Sequence, residues 1–185
     1  MGEDSEMKIE IIDNFISSVY EDYLENLITD ATLPLYYNKH TLSTYYSVPG
    51  KENPQFTHGF FRDNEVRSSY MTHIEPIIFY LMAKTEILRS KNLVKCKLNL
   101  NYQDLSYAEN EHYPVHIDNI EKGITAIYYI NDSDGNTLFF DKDYKIIESV
   151  APKKGRIVCF DNQILHAGQP PKQSLYRAVI NFNWV

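Results

Sequence analysis

Leu175-Tyr176-Arg177-Ala178-Val179-Ile180-Asn181-Phe182-Asn183-Trp184 alternates along its whole length. Successive side chains of a strand point to opposite faces, so Tyr176, Ala178, Ile180, Phe182 and Trp184 make one apolar face. That face belongs against helices. Leu175, Arg177, Val179, Asn181 and Asn183 make the other, which would look into the space between two sheets. A sandwich ordinarily fills that space with apolar side chains, yet here it carries one Arg and two Asn. Buried polar groups at that place point to a site.

Seven more short β-type runs precede this strand, separated by turn clusters: Val94 to Leu100, Tyr113 to Asp118, Ile124 to Ile130, Thr137 to Phe140, Lys145 to Val150, Arg156 to Phe160 and Ile164 to Gly168. Asn131-Asp132-Ser133-Asp134-Gly135 and Gln169-Pro170-Pro171-Lys172 are the clearest turns. Eight closely spaced strands predict a two-sheet jelly roll, a double-stranded β-helix, over residues 94–185. The expected fold class is mainly β with flanking helices, the N-terminal helices packing on the major sheet.

Residues 1–93 read as a helical part of the same single domain, opened by a short alternating strand over Met7 to Ile12. Tyr20, Tyr23, Leu24, Leu27 and Ile28 recur at helical spacing, with Ser18 and Glu21 as a capping box. A second helix starts at Pro76 and runs through Ile78, Leu81, Met82 and Leu88. Between them, residues 41–65 hold Val48-Pro49-Gly50, Asn53-Pro54 and the aromatics Tyr45, Tyr46, Phe56, Phe60 and Phe61. So long an aromatic loop is expected to cover or bind something, as a substrate-facing lid.

Composition narrows the partners. The chain has 185 residues, 43% hydrophobic and 14% aromatic, far from the profile of a disordered chain. Its net charge of -7 disfavours bulk binding to a phosphate backbone. The longest apolar run, Ile77 to Ala83, is too short to span a bilayer, and the acidic, polar start is unlike a signal peptide, so a cytoplasmic location without membrane association is expected. Cys96 and Cys159 sit in apolar alternating stretches and read as buried reduced thiols. Oligomeric state is not encoded in any pattern here.

Chemistry enters with Tyr113-Pro114-Val115-His116-Ile117-Asp118, which puts an imidazole and a carboxylate at i and i+2, on one face of a strand. His73-Ile74-Glu75 repeats the pattern, and His112 with His116 has helical metal-pair spacing; Pro114 argues against that helix, leaving His112 as a loop residue. The second half of a ligand set is His166, fifty residues after His116, and eleven residues on lies Arg177 on the polar inward face. An unpaired guanidinium there is costly unless an anion reaches it. Two His and one carboxylate on one side of a metal leave coordination positions open, the arrangement of non-haem Fe(II) oxygenases.

These residues, with Ile127-Tyr128-Tyr129-Ile130-Asn131 and Arg177-Ala178-Val179-Ile180-Asn181-Phe182-Asn183, resemble the 2-oxoglutarate- and Fe(II)-dependent dioxygenases, nearest to prolyl-hydroxylase-like members and similar to short versions carried by bacteriophages. The resemblance implies that His116, Asp118 and His166 ligate Fe(II), that Arg177 pairs with the distal carboxylate of 2-oxoglutarate, and that O2 is the oxidant. It implies that Tyr129 hydrogen-bonds the same carboxylate, that Ile127 and Leu138 line the cosubstrate pocket, and that Asn183 stands where the family often places a bulky residue. Two positions depart from the family pattern: Gly135-Asn136 replaces a frequent Gly-Gly, and the tyrosine expected upstream of His116 is Tyr102, Tyr107 or Tyr113. The implied activity is hydroxylation of an unactivated C–H, in a peptide or protein side chain (prolyl preferred) or a small molecule, with release of succinate and CO2. If the chain is phage-encoded, it works in the host cytoplasm.

The same ligands would suit a zinc-dependent hydrolase, although a hydrolase has no evident use for Arg177, and a jelly roll can also be a non-catalytic binding module. Lys95 and Lys97 share a strand face that could meet an anionic substrate, but such alternation is commonly a solvated surface.

Overall fold

The structure, a computed structural model, describes residues 9–39, 54–85, 88 and 90–185. The N-terminal elements are strand β1 (Ile9–Ile12), helix α1 (Ser18–Thr29), strands β2 (Tyr36–Asn38), β3 (Gln55–Arg62) and β4 (Glu65–Val66), a 3₁₀ turn over Ser69–His73 and helix α2 (Glu75–Lys84). Strands β5 (Leu93–Tyr102), β6 (Ile124–Tyr129), β7 (Thr137–Phe140), β8 (Ile146–Val150), β9 (Ile157–Asp161), β10 (Leu165–Gly168) and β11 (Tyr176–Trp184) follow. Every pairing is antiparallel. The major sheet runs β1-β9-β6-β11-β5-β3-β2, with β4 on β3, and the minor sheet runs β10-β7-β8.

β11 lies at the centre of the major sheet, between β5 and β6, and its two faces separate as its alternation predicts. Ala178, Ile180, Phe182 and Trp184 are buried in one cluster with Leu24 and Ile28 of α1 and Ile77, Ile78 and Leu81 of α2. Each large side chain taken out of water there contributes about 1.5–3 kcal/mol. Val179, on the opposite face, joins Ile127, Tyr129, Val158 and Phe160 of the major sheet and Phe139 and Val150 of the minor sheet. The jelly roll is thus closed at one end by apolar contacts between the sheets.

Local details depart from expectation for identifiable reasons. Ser17, not Ser18, is the N-cap of α1; its carbonyl accepts from the amides of Tyr20 and Glu21, and no side chain caps the helix. Helix α2 stops at Lys84, because Thr85 turns to an extended conformation before Leu88 is reached. Of the expected loop over 41–65, residues 41–53, with Tyr45, Tyr46 and Val48-Pro49-Gly50, lie outside the described residues. Residues 55–62 form β3, inside the major sheet, with Phe60 fully buried and Phe56 and Phe61 packed on the core. A register shift between Gly59 and Phe61 breaks the alternation that would have disclosed the strand. The 1–93 segment is therefore not only a helical cover: β1 to β4 extend the major sheet itself. Among the described residues no helix is long and apolar enough to cross a membrane.

Candidate active site

His116 and His166 are brought together by the backbone. The segment 113–118 is not a regular strand; it runs beside β10, with the Tyr113 amide on the Gly168 carbonyl and reciprocal bonds of 3.0 Å between the backbones of His116 and His166. The two imidazole centres lie 4.5 Å apart. Each ring has its Nδ1 3.0 Å from the backbone carbonyl two residues earlier, Pro114 for His116 and Ile164 for His166. A carbonyl only accepts, so both Nδ1 atoms donate and both Nε2 lone pairs are left for a ligand.

Asp118 completes the group. Its Oδ2 is 3.5 Å from Nε2 of His166, and one ligand atom from each of the three residues lies within 4.8 Å of the others. The carboxylate is aimed from the major sheet: Thr125 of β6 donates to Oδ2 at 2.8 Å, and Asn183 of β11 donates to the Thr125 hydroxyl at 2.9 Å. Asn181 Nδ2 approaches the same Oδ2 at 3.5 Å. Burial opposes the Asp118 charge, but His166, Lys95, His116 and the Thr125 bond outweigh it and hold the carboxyl well below the usual range. Burial, with His166 beside it, pushes His116 down to about 4, so its ring is neutral at physiological pH. Two imidazoles, each with its Nδ1 turned to a backbone carbonyl, and a charged carboxylate converging on one side suit a divalent first-row metal with open positions.

Arg177 occupies the same cavity four residues along β11 from Asn181. It is buried, its Nε donates to the Gly135 carbonyl at 2.7 Å and its Nη2 to Thr137 Oγ1 at 2.8 Å. Burial lowers its proton affinity from the ordinary value. Tyr129 donates to the same Thr137 oxygen at 2.7 Å. With both lone pairs of Oγ1 taken, the Thr137 hydroxyl proton is left to donate, and Thr137 lines the cavity. Gly135 is required at its turn, since a Cβ there would stand 2.6 Å from the Gln169 carbonyl oxygen and 3.1 Å from Arg177 Cδ.

The structure places the remaining expected residues unevenly. Ile127 lines the cavity. Leu138 does not: it packs with Val115, Phe140 and Ala167 on the other face of the minor sheet, because the cavity-facing parity of β7 belongs to Thr137. Tyr129 is not on the cavity wall; its hydroxyl is committed to Thr137, and through Thr137 it positions Arg177. Asn183 also lies behind the wall, supporting Thr125 and hence Asp118. Of the three upstream tyrosines only Tyr113 borders the cavity; Tyr107 packs edge-on behind it and Tyr102 is exposed. His112 bonds the Tyr113 carbonyl and His73 meets Tyr23 at 2.5 Å, both away from the metal-ligand group. Lys95 and Lys97, read as either a solvated face or a contact for an anionic substrate, are half-buried and line the cavity, since β5 pairs them with Asn183 and Asn181. Thr125, Thr137 and Gln55 carried no sequence signal beyond their strand positions.

Comparisons with known proteins agree with this geometry. The sequence profile of the 2OG-Fe(II) oxygenase superfamily matches residues 102–185, a span that holds His116, Asp118, His166 and Arg177. No curated protein sequence matches the chain. Among solved structures, it is similar in fold to an oxidoreductase of the 2OG-Fe(II) oxygenase family from Burkholderia pseudomallei, with TM-score 0.71 and 11% identity over 95% of this chain and 84% of that one. A viral collagen prolyl hydroxylase from Paramecium Bursaria Chlorella virus-1 gives TM-score 0.60 and 18% identity over 99% and 98%. A prolyl hydroxylase from Trichoplax adhaerens, solved with a hypoxia inducible factor peptide fragment, gives 0.65 and 17% over 95% and 82%. A hydrolase or a bare binding module would account for neither the profile match nor the buried Arg177 beside the ligand group. Residues 102–185 thus match the 2OG-Fe(II) oxygenase superfamily, and that match together with the His-Asp-His group implies an enzyme that uses Fe(II) and 2-oxoglutarate.

Proposed function

We propose that this enzyme hydroxylates an unactivated C–H bond of a peptide side chain, with prolyl preferred, or of a small molecule. Substrate, 2-oxoglutarate and O2 are converted to the alcohol, succinate and CO2. The observation that carries the cosubstrate role is the buried Arg177 guanidinium, fixed by Gly135 and Thr137 at the edge of the cavity that holds the His-Asp-His group. The prolyl preference is supported by the fold shared with the two prolyl hydroxylases above.

His116, Asp118 and His166 would hold Fe(II) through two Nε2 atoms and one carboxylate oxygen. Bound iron and keto acid supply the reduction of O2, coupled to loss of CO2, that oxidises the C–H bond. The chain's own residues do the rest. Arg177 and the Thr137 hydroxyl present donors to a carboxylate, and the rigid fork fixes its orientation. The Pro114 and Ile164 carbonyls keep both imidazoles in one tautomer. Ile117, Ile127 and Val179 supply apolar wall that excludes water around the reacting groups.

The test is anaerobic. Fe(II) and then 2-oxoglutarate are added to metal-free protein, and the visible absorption of a keto acid chelated to Fe(II) is followed; succinate release is then screened with oxygen and prolyl peptides or small molecules. Absorption that saturates with 2-oxoglutarate, and succinate release stimulated by a hydroxylated substrate, are expected. Folded protein that gives no such absorption would overturn the proposal.

A further inference from the structure

The oxygenase reading accounts for the ligand group and Arg177 but leaves the most highly charged wall of the cavity unused. On β5, Lys95, Lys97, Asn99 and Asn101 share the inward face, opposite Asn183, Asn181, Val179 and Arg177 of β11. Four residues separate Asn101 from Lys97, roughly 13 Å along the strand. The lysines therefore stand at the end of the cavity away from Arg177, beside Asn181 and the Asp118 carboxylate rather than where a carboxylate held by Arg177 would lie.

Among the described residues neither lysine forms an ion pair, and the one carboxylate on the cavity wall is Asp118, already assigned to the metal. The formal charges of a divalent metal, Asp118, a doubly negative keto acid and Arg177 cancel. Two positive charges are then left over on β5. Burial tells at Lys97, whose ammonium is pushed down to about 8, chiefly by desolvation and next by Lys95, against the opposing pull of Asp118. There is also room beside it among the described residues: Gly59 of β3 pairs with Lys97, and a Cβ on Gly59 would meet none of them within 4 Å. Next along β5, the buried Asn99 Oδ1 has no hydrogen-bond partner among the described residues. An acceptor and two cations without partners among the described residues suit a ligand that brings both missing partners.

We propose that the substrate carries an anionic group, a carboxylate or a phosphate, that seats on Lys95 and Lys97, with a hydrogen-bond donor of the same molecule meeting Asn99. This rests on the oxygenase reading and narrows it: the molecule oxidised is acidic near the carbon that reacts.

The test uses protein loaded with Fe(II) and 2-oxoglutarate under argon, titrated in a calorimeter. The probes are N-acetyl-L-proline and N-acetyl-L-glutamate, each against its neutral amide, N-acetyl-L-prolinamide and N-acetyl-L-glutamine, and inorganic phosphate. At least one acid is expected to bind about tenfold or more tightly than its amide, with the preference lost in a Lys95→Gln, Lys97→Gln double variant that still binds 2-oxoglutarate. Phosphate binding tighter than either acid, and lost in the same variant, supports the proposal and assigns the group to a phosphate. Equal binding of acids and amides without lysine-dependent phosphate binding overturns it, as does a preference that survives the double substitution. Failure of the underlying oxygenase reading looks different, because the wild-type protein would then not bind 2-oxoglutarate with its iron.

Discussion

Arg177→Lys tests whether the guanidinium fork, rather than positive charge alone, holds the cosubstrate. In the wild-type protein Nε and Nη2 are spent on Gly135 and Thr137 at 2.7 and 2.8 Å, so the plane of the fork is set before any ligand arrives. A lysine keeps the charge, but its three donors radiate from one nitrogen and do not reproduce the planar fork in which Nε and Nη2 meet two separate acceptors while a carboxylate is held. Two losses follow. The buried Gly135 carbonyl loses its partner, costing about 1–3 kcal/mol of stability. One charge-assisted bond to the carboxylate goes as well, about 1.5–3 kcal/mol, or roughly ten- to 150-fold in the 2-oxoglutarate dissociation constant. Iron binding should be unchanged, because Arg177 touches none of His116, Asp118 and His166. Anaerobic 2-oxoglutarate titration of the iron-loaded variant reads the affinity, and thermal unfolding of the metal-free protein reads the stability. A variant that binds 2-oxoglutarate within about threefold of wild type would refute the reasoning, since charge without geometry would then suffice.

Other expectations follow from the same contacts. His116→Ala, Asp118→Ala and His166→Ala should each abolish stoichiometric iron binding and turnover, whereas His73→Ala and His112→Ala should keep the metal, as metal analysis of the purified variants will show. Lys97 is protonated at a cost in the fold: with its folded value about 8 against 10.5, the unfolded chain binds more protons between those values, and stability rises with pH across that window. Lys97→Met should therefore stabilise the metal-free protein at pH 7 by on the order of 1–3 kcal/mol, the gap closing toward pH 10.5; a melt showing the variant less stable at pH 7 contradicts this. Burial raises the Cys96 thiol well above its usual range and pushes Cys159 up to about 12, so neither should react with a maleimide until the protein unfolds.

The cavity explains why some of its walls were legible from the chain and others were not. β11 could be read because its alternation is sharp: Ala178, Ile180, Phe182 and Trp184 face the helices while Arg177, Val179 and Asn181 face the cavity, and period 2 is a local property. β7 could not, because Thr137, Leu138, Phe139 and Phe140 are all buried, and a strand covered on both faces shows no alternation from which to choose Thr137 over Leu138. For Lys95 and Lys97 the parity was plain but its meaning was not, since a solvated face and a polar cavity have the same pattern; pairing with β11 decides between them.

Composition, periodicity and spacing thus determined that the chain forms a mainly antiparallel β fold, which face of β11 turns inward, and which three residues could converge on a metal with an arginine nearby. All of these depend on neighbours close in sequence or on the order of short motifs. Only the tertiary structure decided that Thr137 and Gly135 hold Arg177, that Asn183 acts through Thr125 on Asp118, that Tyr113 is the tyrosine at the cavity, and that residues 55–62 belong to the sheet. Each is a contact between strands far apart in the chain, and its partner is set by sheet order and register, to which no local pattern is sensitive.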